Sequence, residues 1–144
     1  MSKPQFPWWG YAKNMVRKYP QYCREWEELK TISATPNYDA VGHGSGVSKP
    51  TEQVALRLLP KSKQVEFDAV REAIAETEQA ASGQERINLI RLVYWKHSHT
   101  LKGAAYKIGL SEQTAWFYHR DFMRLVGVHR GLITRDEWRD LRKK

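Results

Sequence analysis

The chain has one cysteine, Cys23. No internal disulfide can form, which fits a reducing compartment, and the cytoplasm is the expected location. No run approaches the roughly 18 consecutive apolar residues of a membrane span, so no membrane partner is expected. The first residues, "MSKPQFPWWGYAKNM", hold no apolar h-region and no small-residue cleavage site, and a secretory signal is not expected. No strand-like alternation is visible, nor any internal repeat of about 20–50 residues. Phosphate-loop chemistry is also lacking. "GHGSGVSK" has no Gly-Lys-Ser/Thr ending, and Gly42, Gly44 and Gly46 do not complete a G-x-G-x-x-G pattern. His97 and His99 are too few ligands for zinc, and Cys23, His43, His119 and His129 add no recognisable spacing. No nucleophile is marked with its base and no carboxylate pair with a defined site. The expectation is a non-enzyme without metal or cofactor.

What is present is a modest, strongly basic globular chain. Its 144 residues are about one domain's worth, 41% hydrophobic and 28% charged, with a net charge of +8. That balance favours a polyanionic partner. The charge is uneven: net +3 over residues 1–30, −2 over 31–83 and +7 over 84–144. The positive field therefore sits mostly in the C-terminal part, although a solvated basic surface would look the same.

The hydrophobic periods point to an all-α class. Residues 8–32 read as a helix broken or kinked at Pro20, with Trp8, Trp9, Ala12, Met15, Val16 and Tyr19 on one stripe and Tyr22, Trp26 and Leu29 continuing it. This stripe fits either core packing or an exposed contact surface. Residues 33–50, rich in Gly and small polar residues, read as a flexible linker. A short helix is predicted over 51–59 behind Thr51, ending at Pro60. Another is predicted over about 62–80, with Val65, Val70, Ala73, Ile74 and Thr77 inward. Ser82-Gly83 breaks it, and a helix follows over about 84–97 that is apolar nearly all round in its second half. The organisation predicted is an arm (1–32), the linker (33–50), central helices (51–82) and a DNA-binding region (83–144).

The most specific pattern is "TLKGAAYKIGLSEQTAWFYHRDF", which reads as two helices, Thr100–Ile108 and Ser111–Val126, around a tight turn. This is the helix-turn-helix form. Ala105 is small enough for a close crossing. Gly109 can adopt the left-handed conformation that ends the first helix. Leu110 plugs the gap, and Ser111 can cap the second helix. Ala104, Ile108, Ala115 and Tyr118 fill the inner face. Gly127 is the predicted stop, and Thr134-Arg135-Asp136-Glu137 has the form of a capping box opening a last helix to about Leu141. A purely structural hairpin would satisfy the same conditions.

If the pair reads DNA, its second helix enters the major groove. Inward positions are 115, 118, 122 and 125, which leaves Gln113, Trp116, Phe117 and Arg120 outward as base readers. Gln113 suits adenine and Arg120 suits guanine. Trp116 and Phe117 would meet thymine methyls or the sugar-phosphate wall, or else pack on the N-terminal arm or a second subunit. His119 reads as a packing histidine at the core's edge. Thr100, Lys102, Lys107, Ser111 and Arg124 are candidate phosphate contacts, which position without specifying.

These residues resemble a known family. "HTLKGAAYKIGLSEQTAWFYHRDF" is similar to the C-terminal part of RinA/ArpU-type regulators of phage and prophage late operons, whose helix-turn-helix is similar to region 4 of sigma factors. Thr114, Ala115, His119, Arg120, Asp121 and Phe122 carry the pattern. "PWWGYAKNMVRKYPQY", "GHGSGVSKPTEQVALRLLP" and "LIRLVYWKHSHTL" extend the resemblance over about Trp8 to Leu132. It implies a transcriptional activator of packaging and structural genes in the bacterial host's cytoplasm. The implied partners are double-stranded DNA and RNA polymerase, and a homodimer is compatible with it. Where the family leads one to expect a basic residue beside the central aromatic, this chain has Trp116 and Phe117. Two other readings stay open: a terminase small-subunit-like DNA-recognition component, and an antitermination factor acting through RNA polymerase.

Overall fold

Local signals set most helix ends, and tertiary contacts set the rest. The computed structural model describes residues 7–34 and 59–142. Most of the predicted linker, and the predicted helix over 51–59 except Leu59, lie outside the described residues. The described chain forms α1 (Trp9–Ala34), α2 (Lys61–Gln79), α3 (Gly83–Ile90) running on into a π-helical turn (Arg91–Trp95), α4 (Leu101–Ile108), α5 (Glu112–Arg130) and α6 (Arg135–Arg142). The fold is all-α, with no strand among the described residues. No described helix is long and apolar enough to cross a membrane.

α5 lies against α2, and α1 closes over both. Ala12, Met15 and Val16 of α1 join Val70 and Ala73 of α2 and Phe122, Met123 and Val126 of α5 in one buried cluster. Trp138 of α6 seals its end. The aromatic stripe of α1 thus belongs to this core, with Trp8, Trp9, Tyr11 and Tyr19 packed at its margin. Polar contacts hold α1 in place. Tyr11 and Tyr22 both donate to the Glu66 carboxylate, at 3.2 and 2.6 Å, and Arg130 Nε donates to the Tyr11 hydroxyl at 3.1 Å. The stripe predicted for α2 needs correction. Phe67 is fully buried beneath Tyr19 and Trp26, whereas Val65 and Ile74 are only half-buried.

α1 does not break at Pro20. A proline there removes the N–H that would bond the Val16 carbonyl, four residues back. The Trp95 indole supplies the missing donor, with Nε1 at 2.8 Å from the Val16 oxygen. The π turn, closed by Lys96 N–H donating to the Arg91 carbonyl at 2.7 Å, presents Trp95 to α1. Trp95→Phe keeps the ring but strands that carbonyl, and should cost about 1–3 kcal/mol of unfolding free energy in a denaturant titration. An unchanged midpoint would show that the bond contributes nothing.

The predicted helix over 84–97 is therefore shorter than its apolar pattern suggests, because its last turn is widened. Its start is set by Ser82, which adopts φ 58°, and by Gly83. A Cβ on Gly83 would come within 2.6 Å of the Glu78 carbonyl oxygen, so the α2–α3 corner admits no side chain there.

The predicted stop of α5 at Gly127 is also corrected. The helix continues to Arg130, and Gly131, at φ 86°, ends it. Leu132 N–H bonds the Gly127 carbonyl and Gly131 N–H that of Val128, the Schellman pattern. Gly127 serves another purpose. It is buried, and its missing side chain makes room for the Trp8 ring, whose nearest carbon would lie 3.1 Å from a Cβ. At α6 the expected capping box forms. Glu137 N–H donates to Thr134 Oγ1 at 3.1 Å, and Thr134 N–H to Glu137 Oε1 at 3.4 Å.

Candidate nucleic-acid interface

The α4–α5 pair is built by its local chemistry. Thr100 caps α4 by accepting from Gly103 N–H at 3.1 Å. Gly109 ends it at φ 91°, and Leu110 N–H and Gly109 N–H bond the carbonyls of Ala105 and Tyr106. Ser111 caps α5 by accepting from Thr114 N–H at 3.1 Å. Ala104, Ala105 and Ala115 are buried together with Leu89, and Ile108, Leu110 and Tyr118 pack around them. Small residues at the crossing and a leucine in the turn do what the sequence requires of them.

Packing then divides the surface of α5. Ala115, His119, Phe122, Met123 and Val126 face inward. Gln113, Phe117, Arg120 and Arg124, spaced i, i+4, i+7 and i+11, share the opposite face. Gln113 is exposed and the other three are half-buried. Trp116 stands at the margin of this face, tied by an edge-on contact to His119 with ring centroids 5.5 Å apart. Phe117 lies against Tyr118 and beneath the Arg86 guanidinium. Of the two rings, then, each is anchored on one side and half open on the other. Lys102 and Lys107 are exposed on α4. The Thr100 and Ser111 side-chain oxygens already accept capping hydrogen bonds, and the Ser111 hydroxyl donates to Thr114 Oγ1 at 2.8 Å.

Two buried polar pairs set the pose of α5. Arg86 of α3 reaches Asp121 through Nη1 and Oδ2 at 2.9 Å, donates through Nε to the Ala81 carbonyl, and lies 4.4 Å over the Tyr118 ring. Both side chains are buried. The second pair is His119 and Tyr94. Nε2 and the hydroxyl are 2.6 Å apart, and the rings are stacked within 9° of parallel. His119 is inside the core rather than at its edge. Trp9 of α1 also meets its ring edge-on, at 5.9 Å. Burial drives the imidazole down to about 4, and Lys13 and Arg120 push the same way. Burial raises the Tyr94 phenol to about 12, partly offset by Arg17. Burial likewise lowers Arg124, with Arg120 adding to the effect.

No family model, curated protein or solved structure matches the chain. The sequence placed Gln113, Phe117, Arg120 and Arg124 on one face, and the structure brings them together there. It missed the roles of Arg86 and Tyr94, which support that face from behind, and the contact of Trp9 with His119. The only sequence signal for Tyr94 was a tyrosine in the apolar second half of the segment, and Arg86 carried none.

Proposed function

We propose that the protein is a sequence-specific DNA-binding transcriptional activator of phage or prophage late genes, acting in the bacterial cytoplasm. In this reading α5 enters the major groove, with Gln113 and Arg120 at base edges and Phe117 and Trp116 at thymine methyls or the groove wall. Lys102, Lys107 and Arg124 meet phosphates, joined by the hydroxyl hydrogen of Thr100 and by Ser111 at the start of α5. RNA polymerase is the second partner. The observation that carries the reading is the open face of α5. It holds Gln113, Phe117, Arg120 and Arg124, on a helix whose other faces are committed to α1, α2, α3 and α4. The +8 net charge supports it. So does the resemblance of the α4–α5 segment to a sigma region 4-like helix-turn-helix.

The test is duplex binding at several salt concentrations, using the intergenic region upstream of the late genes and a scrambled duplex. The intergenic duplex should bind more tightly at physiological salt, with affinity falling steeply as salt rises. Equal affinity for both sinks the reading. Arg120→Ala should cost about 1–3 kcal/mol on the specific site and relax base choice. Lys102→Ala should weaken all duplexes alike and reduce the salt slope by about 1. Equal loss of base choice in both variants would overturn this division of roles.

A further inference from the structure

α1 and α5 carry matching stripes. On α1, Trp9, Lys13 and Arg17 recur at i, i+4 and i+8; on α5, Trp116, Arg120 and Arg124 do the same. The two tryptophans meet the same buried histidine, Trp9 at 5.9 Å and Trp116 at 5.5 Å between centroids. Arg17 sits 5.7 Å over the ring of Tyr94, which stacks on that histidine. Lys13 lies close enough to His119 to bias its protonation, as does Arg120. The two stripes therefore flank one seam.

That seam is cationic: Lys13, Arg17 and Arg120 line it, and beyond them Arg124 is offset in part by Asp121. Asp121, the acidic residue of α5's middle turns, is buried against Arg86. Lys13, Arg17 and Arg120 have no ion-pair partner among the described residues; Arg17 donates to the Asn14 side-chain oxygen at 3.3 Å, besides lying over the Tyr94 ring. Cations gathered without carboxylates repel one another, and an external anion relieves that repulsion. Lys13 and Arg17 are one turn apart, about 6 Å along the axis, on the α1 side of the seam, Lys13 near His119 and Arg17 over Tyr94.

We infer that α1 is a second DNA-contacting element, whose Lys13 and Arg17 hold the phosphate backbone beside the groove that α5 enters. This rests on the DNA-binding reading above and goes beyond it. A helix that otherwise serves the core becomes a clamp on the duplex backbone. Its role is positional, since phosphates carry no base identity.

The experiment compares the full chain, Lys13→Gln/Arg17→Gln, and a charge-matched control, Lys18→Gln/Lys61→Gln, on intergenic and scrambled duplexes across a salt series. Lys18 and Lys61 are exposed; Lys18 points about 100° around α1 from Arg17, and Lys61 opens α2. Loss of two phosphate contacts should lower affinity for both duplexes by about 30-fold near 0.15 M salt and reduce the salt slope by about 2. The preference for the intergenic site should persist, and the control should keep nearly the wild-type slope. Thermal unfolding of each variant checks that the fold is intact. The inference is overturned if the wild type binds duplex DNA and the Lys13/Arg17 variant matches it in affinity and slope. It is overturned also if the control loses as much. If the variant keeps DNA binding but loses RNA polymerase or self-association, the seam faces an acidic protein surface and the DNA assignment is wrong. If the wild type binds both duplexes equally yet depends on Lys13 and Arg17, sequence reading fails while the clamp stands. If the wild type binds no duplex at low salt, both fall.

Discussion

Asp121→Ala should lower the unfolding free energy by about 3–5 kcal/mol, measured by urea denaturation at neutral pH. Arg86 would remain in a buried position with its charge uncompensated. Its Nε bond to the Ala81 carbonyl and its stacking on Tyr118 would keep it from swinging out to water. The pair itself is a different matter, because bringing two charges out of water offsets much of their attraction. The double replacement Arg86→Met/Asp121→Leu should therefore lie much closer to the wild type than either single change. A loss below about 1 kcal/mol in Asp121→Ala would mean that water reaches Arg86 and the site is not buried in solution. Losses that simply add in the double variant would deny the coupling.

The second large effect is a dependence on pH set by His119. Its folded value, about 4, lies below the ordinary value of 6.5. The unfolded chain thus takes up the proton first. The group's contribution is complete above pH 6.5, declines as pH falls toward 4, and is constant below that. The loss over this window is about 3 kcal/mol. Protonation would place a cation beside Lys13 and Arg120 and put a hydrogen on Nε2, which could then no longer accept from the Tyr94 hydroxyl, while Nδ1–H stays buried without a partner. Glu76 also titrates on the acid side. Its carboxyl is held below the usual range by hydrogen bonds from Arg135 and His129, against burial, so its stabilisation is lost as pH falls below about 4.5. Comparison with His119→Gln, which keeps an acceptor for the Tyr94 hydroxyl, isolates the histidine. The difference in unfolding free energy between the two proteins should shrink by about 3 kcal/mol between pH 7 and pH 4. A difference that stays constant over that range would rule out the buried neutral ring.

What was legible in the sequence was local. Thr100, Ser111 and the Thr134–Glu137 box cap helices through bonds that span three residues, so the residue types at those spacings suffice. Gly109 and Leu110 are readable for the same reason. Gly127 and Gly131 show where this stops. Both follow helical sequence, and what separates them is the Trp8 ring, which arrives from the other end of the chain. Pro20 marks a break by every local rule, yet Trp95 supplies the donor that the proline removes. Phe67 was passed over because its burial comes from Tyr19 and Trp26 on α1, not from the period of α2. For the site, helical spacing grouped Gln113, Phe117, Arg120 and Arg124 correctly on one face. It could not show that Trp9, Lys13 and Arg17 gather around His119 and Tyr94, because those relations depend on how α1 docks.

The Trp8 ring over Gly127 also limits how much text α5 can read. With its C-terminal turns roofed by α1, the clear stretch runs from residue 112 to about 124, some 18 Å at 1.5 Å per residue. On the proposed reading that covers about five base pairs at 3.4 Å each. Five base pairs carry at most ten bits, a word that recurs by chance about once per thousand positions. A genome offers on the order of a million or more competing sites. One such helix cannot be the whole address: a second copy on a neighbouring half-site, or a partner already placed at the promoter, has to supply the remaining bits.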